Sequence, residues 1–171
     1  MLVEKDLLEI LKAKRIDFQI HNHKPLFTVE DSEKLRGKID GMHTKNLFLK
    51  NKKNNFFLFS CEENANVDLK LLSKSTNAKN LSFANERYLN EILGIKPGSV
   101  SPFALLNDNK NKVDFYLDEK LAKSRIINFH PLINTTTITI KTNDFLKLII
   151  ENKKKVNIFS LESYSVVNTY E

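Results

Sequence analysis

The sequence predicts a mixed α/β domain whose sheet is antiparallel in part and covered by helices. Three observations lead there. Segments with apolar residues at helical spacing alternate with segments of period two. Two strongly apolar runs are separated by five polar residues, a length that hairpins use. No internal repeat, low-complexity linker or shift of composition divides the 171 residues, so one domain over 1–171, large enough to bury a continuous core, is expected.

Leu7, Leu8 and Leu11, with Glu and Lys between them, predict an amphipathic helix over residues 2–15. Ile16, Phe18 and Ile20 then alternate with polar residues, as in a half-buried strand. After Pro25, Thr28 and Asp31 have the spacing of a helix N-terminal cap, which predicts a short helix through Leu35; Gly37 and Gly41 bracket a turn. Residues 43–50 and 56–61 predict paired strands, and the linker 51–55 exposes a basic tip. Asp68 caps a helix over 69–75, and residues 85–93 form another that ends at Gly94. Two prolines and Gly98 make 96–102 a rigid loop. Residues 113–117, 126–129, 135–140 and 156–159 are expected strands. Thr142 or Asn143 caps a helix carrying Phe145, Leu146, Ile149 and Ile150, and the alternation around Val166 and Val167 permits a last strand.

Composition narrows the class. With 41% apolar and 28% charged residues the chain is of globular type, and no run approaches a membrane span. The first residues lack the layout of a secretory signal, so a cytoplasmic location and no membrane partner are expected. Cys61 is the only cysteine, which excludes an internal disulfide and a thiolate-rich metal site; at the end of an apolar run it reads as buried. The formal charge of +6 favours a polyanionic partner, with lysines clustered at 50–53, 110–112 and 153–155. Each cluster alone reads equally as a solvated turn.

Candidates for chemistry are few. His21, His23, His43 and His130 match no local metal motif, and neither a nucleophile elbow nor a phosphate-binding glycine loop occurs, so no metal and no cofactor are expected. Ser99 and Ser101 flank Val100 in the proline-braced loop, where loop geometry competes with nucleophilic or donor roles. Lys45 precedes Leu47-Phe48-Leu49, so its ammonium is either an ordinary strand-edge charge or one positioned to meet a phosphate or a polarised ester oxygen.

Three extended signals occur in one order: His43-Thr44-Lys45-Asn46-Leu47-Phe48-Leu49, Gly98-Ser99-Val100-Ser101-Pro102-Phe103-Ala104, and Phe129-His130-Pro131-Leu132-Ile133-Asn134-Thr135-Thr136. Together they resemble the YbaK-like aminoacyl-tRNA deacylases, relatives of the editing domain inserted in bacterial prolyl-tRNA synthetase. The likeness runs from His23-Lys24-Pro25 to the final helix. The Lys45-Asn46 pair is most similar to the free-standing branch that clears alanine from proline tRNA (the ProX or PrdX group), rather than to the cysteine-clearing one. Asn51 departs from the pattern, since relatives often carry Asp there; this touches the hairpin turn more than the chemistry.

The resemblance implies a mainly antiparallel curved sheet and a hydrolase that deacylates mischarged Ala-tRNA(Pro). Lys45, Gly98 and His130 would be the catalytic positions. Asn46 and the loop residues Ser99, Val100, Ser101, Pro102 and Phe103 would hold the ester and terminal adenosine, with help from His23 and Thr28. Asn46, Val100, Phe103 and His130 would wall a pocket that rejects proline by size. The implied partners are the acceptor stem and 3′ adenosine of tRNA(Pro), with transient contact to prolyl-tRNA synthetase or an elongation factor. Deacylation of another charged tRNA, such as Cys-tRNA(Pro) or Ser-tRNA, is the alternative within the family. A catalytically silent tRNA-binding module and a small-molecule hydrolase are the alternatives outside it.

Overall fold

A computed structural model describes residues 1–26, 28–35 and 39–171. Gly37 lies outside them.

The described strands form a single mixed sheet. Its spatial order is β1 (Phe18–Asn22), β7 (Thr136–Lys141), β6 (Ile126–Phe129), β2 (Met42–Lys50), β3 (Phe56–Glu62), β5 (Val113–Asp118), β8 (Val156–Ser160) and β9 (Ser165–Tyr170). The two-residue β4 (Ser82–Phe83) pairs with β2 off this path. Five of the pairings are antiparallel, and β2 with β6, β3 with β5, and β5 with β8 are parallel. The mainly antiparallel sheet covered by helices is therefore as the sequence predicts. β3 reads Phe-Phe-Leu-Phe-Ser-Cys without alternation because both of its faces are buried.

Each face carries a core. The larger one gathers Leu7 and Leu11 of α1 (Glu4–Ala13), Phe103, and Phe145, Leu148 and Ile149 of α6 (Thr142–Glu151) against Phe115, Ile127, Phe129 and Ile138. The smaller one packs Leu72 of α3 (Leu69–Ser75) over Leu49, Phe57, Phe59 and Cys61. No helix among the described residues is long and apolar enough to cross a membrane.

Several expectations are met in detail. α2 (Val29–Leu35) begins with a reciprocal cap, in which Thr28 N–H donates to Asp31 Oδ2 at 3.2 Å and Asp31 N–H donates to Thr28 Oγ1 at 3.0 Å. Asp68 Oδ1 accepts from the N–H groups of Lys70 and Leu71 at the start of α3. The β2–β3 hairpin turns at Asn51, whose buried Oδ1 accepts from Lys53 and Asn55 N–H, so Asn51 serves the turn through its carbonyl oxygen.

Other elements differ for identifiable reasons. α1 is shorter than the periodicity suggests, and a left-handed Arg15 (φ 55°) ends its turn, so β1 begins at Phe18 rather than Ile16. Because β1 is a sheet edge, Ile20 remains 43% exposed instead of half-buried. The helix expected over 85–93 is one α-turn, α4 (Glu86–Tyr88), followed by a π-turn over Leu89–Leu93. The wider turn lets Leu89, Ile92 and Leu93 all reach the core. The rigid loop runs into a 3₁₀ helix over Pro102–Asn107, started by Pro102 and by Ser101 Oγ accepting from Phe103 N–H at 3.3 Å. Residues 119–123 form a helix (α5, Glu119–Lys123) capped by Asp118, too short to show periodicity in the sequence. Neither Thr142 nor Asn143 caps α6. Lys141 holds that position, while Thr142 Oγ1 meets Ser124 Oγ at 3.2 Å. The permitted last strand exists as β9, with all six residues exposed.

Candidate active site at the split edge of strand β2

β2 is where the sheet divides. One side of it pairs with β3 from Thr44 to Lys50. On its other side β6 pairs only with Met42 and His43, and β4 only with Leu49 and Lys50. Between these partners no strand among the described residues lies beside the edge at Lys45, Asn46 and Leu47. His43 C=O accepts from Glu63 N–H on the β3 side, whereas Phe48 C=O accepts from Ala84 N–H on the β4 side. By alternation the main-chain N–H and C=O of Asn46 point into the gap. A backbone donor and acceptor at an unpaired edge offer hydrogen bonds to whatever docks there.

Lys45 and Asn46 leave this strand on opposite faces. Lys45 pairs with Cys61, and its Nζ donates to the carbonyl of Ala65 just beyond β3, so the ammonium is tethered over the β3 side of the strand. Asn46 Oδ1 accepts from the buried Ser60 hydroxyl at 2.6 Å, which orients the amide. Cys61, as expected, is buried; burial pushes its thiol up to about 12 despite the opposing charge of Lys45, and it stays protonated at neutral pH.

The β2–β6 register pairs Met42 with Ile127 and His43 with Asn128; His43 shares a face of the sheet with Lys45, and His130 lies just past the end of β6. All four histidines share that face. His21 pairs with Thr137, His43 pairs with Asn128, and His23 and His130 follow two residues after His21 and Asn128. They are stitched together by hydroxyls and carbonyls. His21 Nε2 meets Thr139 Oγ1 at 3.0 Å, Thr139 Oγ1 donates to Asn128 Oδ1 at 2.5 Å, and His23 Nε2 meets Thr137 Oγ1 at 2.8 Å. The His23 and His130 rings lie 5.9 Å apart.

His130 Nδ1 donates to the carbonyl of Thr136 at 2.9 Å, which leaves Nε2 as the unprotonated nitrogen of the neutral ring. Burial, helped by the neighbouring His23, holds its pKa below the usual histidine value. Among the described residues no group of three or more His, Cys, Asp or Glu is arranged to hold a metal ion.

The proline-braced loop approaches from the other side of the sheet. Gly98 adopts φ +83°, Ser99 N–H closes a turn onto Lys96 C=O, and Ser99, Ser101 and Pro102 are buried. Val100 packs against the larger core. Phe103 is fully buried, edge-on to Phe129 at 5.9 Å and Phe145 at 5.7 Å. That contact ties the loop to the residue preceding His130. Of the residues singled out in the sequence, Lys45, Asn46, His23 and His130 gather at the split edge and its polar face. Gly98 to Phe103 reach them through the core, and Thr28 is exposed and occupied in capping α2. Ser60, Asn128, Thr137 and Thr139 went unnoticed as site-building groups; the alternation in Thr135-Thr136-Thr137-Ile138-Thr139-Ile140 signals a polar face, but not which neighbours it meets.

A sheet opened at one strand that carries a tethered lysine, with a buried neutral histidine at the end of a neighbouring strand, belongs to a chain in which residues 23–148 match the family "Aminoacyl-tRNA editing domain". The chain is a member of that family. It is 35% identical over 162 residues to "Prolyl-tRNA synthetase associated domain-containing protein 1" of Danio rerio, covering 94% of this chain and 88% of the relative. It is 31% identical over 143 residues to "Prolyl-tRNA editing protein ProX" of Acetoanaerobium sticklandii, covering 83% and 87% respectively. The solved structure of "hypothetical protein APE2540" shares the fold, with a TM-score of 0.65 at 14% identity over 82% of this chain and 91% of that one.

Proposed function

We propose that this chain hydrolyses the ester of mischarged Ala-tRNA(Pro), with the open edge of β2 at Lys45 and Asn46 as the reaction site. The observation that carries this reading is the unpaired main chain of Asn46 between a tethered ammonium on one face and an oriented carboxamide on the other. An aminoacyl ester is already activated, so the enzyme's task is to place it, place a water and stabilise the developing oxyanion.

In this reading the terminal adenosine lies along the gap. Asn46 N–H and the Lys45 ammonium face the ester carbonyl and the adjoining phosphate. His130 Nε2, bare and neutral, accepts a hydrogen bond from the alanyl side of the substrate or from the attacking water. A hydroxyl of the substrate's own ribose holds that water. The turn at Gly98, stiffened by Pro102, sets the depth of the amino-acid pocket, and volume excludes proline while smaller side chains enter. The names of the two relatives, which refer to prolyl-tRNA synthetase and prolyl-tRNA editing, support proline tRNA as the carrier.

The test is release of radiolabelled alanine from alanyl-tRNA of proline identity, with prolyl-tRNA alongside. Rapid loss of alanine, an intact prolyl ester and a drop of about a hundredfold or more in Lys45→Ala are expected, the size seen when one transition-state donor is lost. Release from cysteinyl- or seryl-tRNA but not from alanyl-tRNA would move the assignment to that amino acid. Binding of tRNA without turnover of any ester would replace the enzyme by a binding module.

A further inference from the structure

Phe83 is 61% exposed, the only phenylalanine among the described residues in that condition. It lies on β4, which consists of two residues and whose register places Phe83 opposite Leu49. Directly opposed residues share a face, and Leu49 shares its face with Lys45, four positions earlier on β2. Phe83 therefore stands on the Lys45 side of the sheet, at the far end of the unpaired edge. Four residues of strand span roughly 13 Å, about two nucleotide steps.

Beyond Phe83 the charge is positive. Lys79 precedes it on the connection from α3, and Lys52 and Lys53 are exposed at the tip of the β2–β3 hairpin. Lys50, the last residue of β2, points to the opposite face, where its Nζ sits 5.5 Å from the centre of the Tyr88 ring. A tethered lysine, an open backbone edge, an exposed aromatic ring and a basic tip thus follow one another along β2. Stacking faces interleaved with cations are how proteins hold unpaired nucleotides without reading their sequence.

We infer that Phe83 is a stacking platform for an unpaired base about two nucleotides inward from the esterified adenosine, and that the hairpin tip takes the phosphates that follow. This rests on the reading of the chain as a tRNA deacylase. It adds a residue and a direction: the 3′ strand enters at the hairpin tip and runs along β2 towards Lys45.

The experiment is a fluorescence-anisotropy titration of two labelled RNA hairpins of identical stem, one ending in single-stranded ACCA and one blunt. Each is titrated with wild-type protein, Phe83→Ala, Phe83→Leu and Phe83→Trp. Because the ring is exposed, all four proteins are expected to melt alike. Loss of the ring should weaken the tailed hairpin roughly tenfold, as removal of one stacked base does. Phe83→Leu should behave as Phe83→Ala, Phe83→Trp should bind at least as well as wild type, and the blunt hairpin should not distinguish the four. Tight wild-type binding that is unchanged in Phe83→Ala overturns the platform and leaves the deacylase reading intact. Failure of wild-type protein to prefer the tailed hairpin overturns the platform as well, and absence of any RNA binding, together with absence of ester release, overturns both.

Discussion

His130 shows how much a single residue's protonation depends on its surroundings. Its ring gives Nδ1–H to Thr136 C=O and is held neutral by burial beside His23. The folded pKa lies below that of the unfolded chain, near 6.5, so between these values the unfolded state binds the extra proton. Stability from this site is complete above the unfolded value and declines as pH falls through it, levelling off below the folded one. Urea midpoints measured from pH 7.5 to 5 should fall more steeply for wild type than for His130→Asn, which keeps a donor towards Thr136 but cannot protonate. Parallel slopes would show that His130 does not titrate differently on folding. At Lys45 what matters is position: Ala65 C=O fixes where the ammonium sits.

At the scale of an element, the segment from Gly98 to the 3₁₀ helix is a strut between the larger core and the end of β6. Its rigidity comes from three local causes: a left-handed Gly98, a buried Ser101 capping Phe103 N–H, and Pro102 at the first helical position. A side chain at Gly98 meets an unfavourable backbone conformation costing about 1–2 kcal/mol. Gly98→Ala is therefore expected to lower the melting temperature by several degrees. Deacylation at a temperature where the protein is fully folded should fall in addition, because the loop must shift. Unchanged turnover with a lowered melting temperature would make this glycine purely structural. Phe103 explains why the loop cannot shift independently of the site: its ring is wedged between Phe129 and Phe145, and Phe129 carries His130.

Taken whole, the molecule carries a formal charge of +6, and its exposed lysines at the hairpin tip adjoin the proposed track. Affinity for single-stranded nucleic acid falls with salt by about 0.7 log units per log unit of salt for each phosphate contacted. The tailed hairpin should therefore bind with a marked salt slope that becomes shallower by about 1.4 when Lys52 and Lys53 are both replaced by Ala. Phe83→Ala should lower affinity at every salt concentration and leave the slope as it was. A double-lysine variant with the wild-type slope would place the phosphate contacts elsewhere on the surface. The +6 charge favours a polyanionic partner, and β4 and the hairpin tip are where the proposed contacts would fall.

Local chemistry was legible because it acts over a few residues. Asp68 and the Thr28/Asp31 pair cap helices, the five-residue linker turns a hairpin, and period-two runs become strands in the order read. The order of three motifs likewise identified the family and named Lys45, Asn46, Gly98 and His130 as the residues to watch. What no short-range pattern encodes is which strand stops where. The early ending of β6 and the two-residue length of β4 open the edge at Asn46, and the ring of His130 meets that of His23 just past the end of β6. The same pairing turns four histidines scattered over more than a hundred positions into one polar face. Those are long-range hydrogen-bonding and packing decisions, made when β1, β7, β6 and β2 come together, and they exist only in the folded chain.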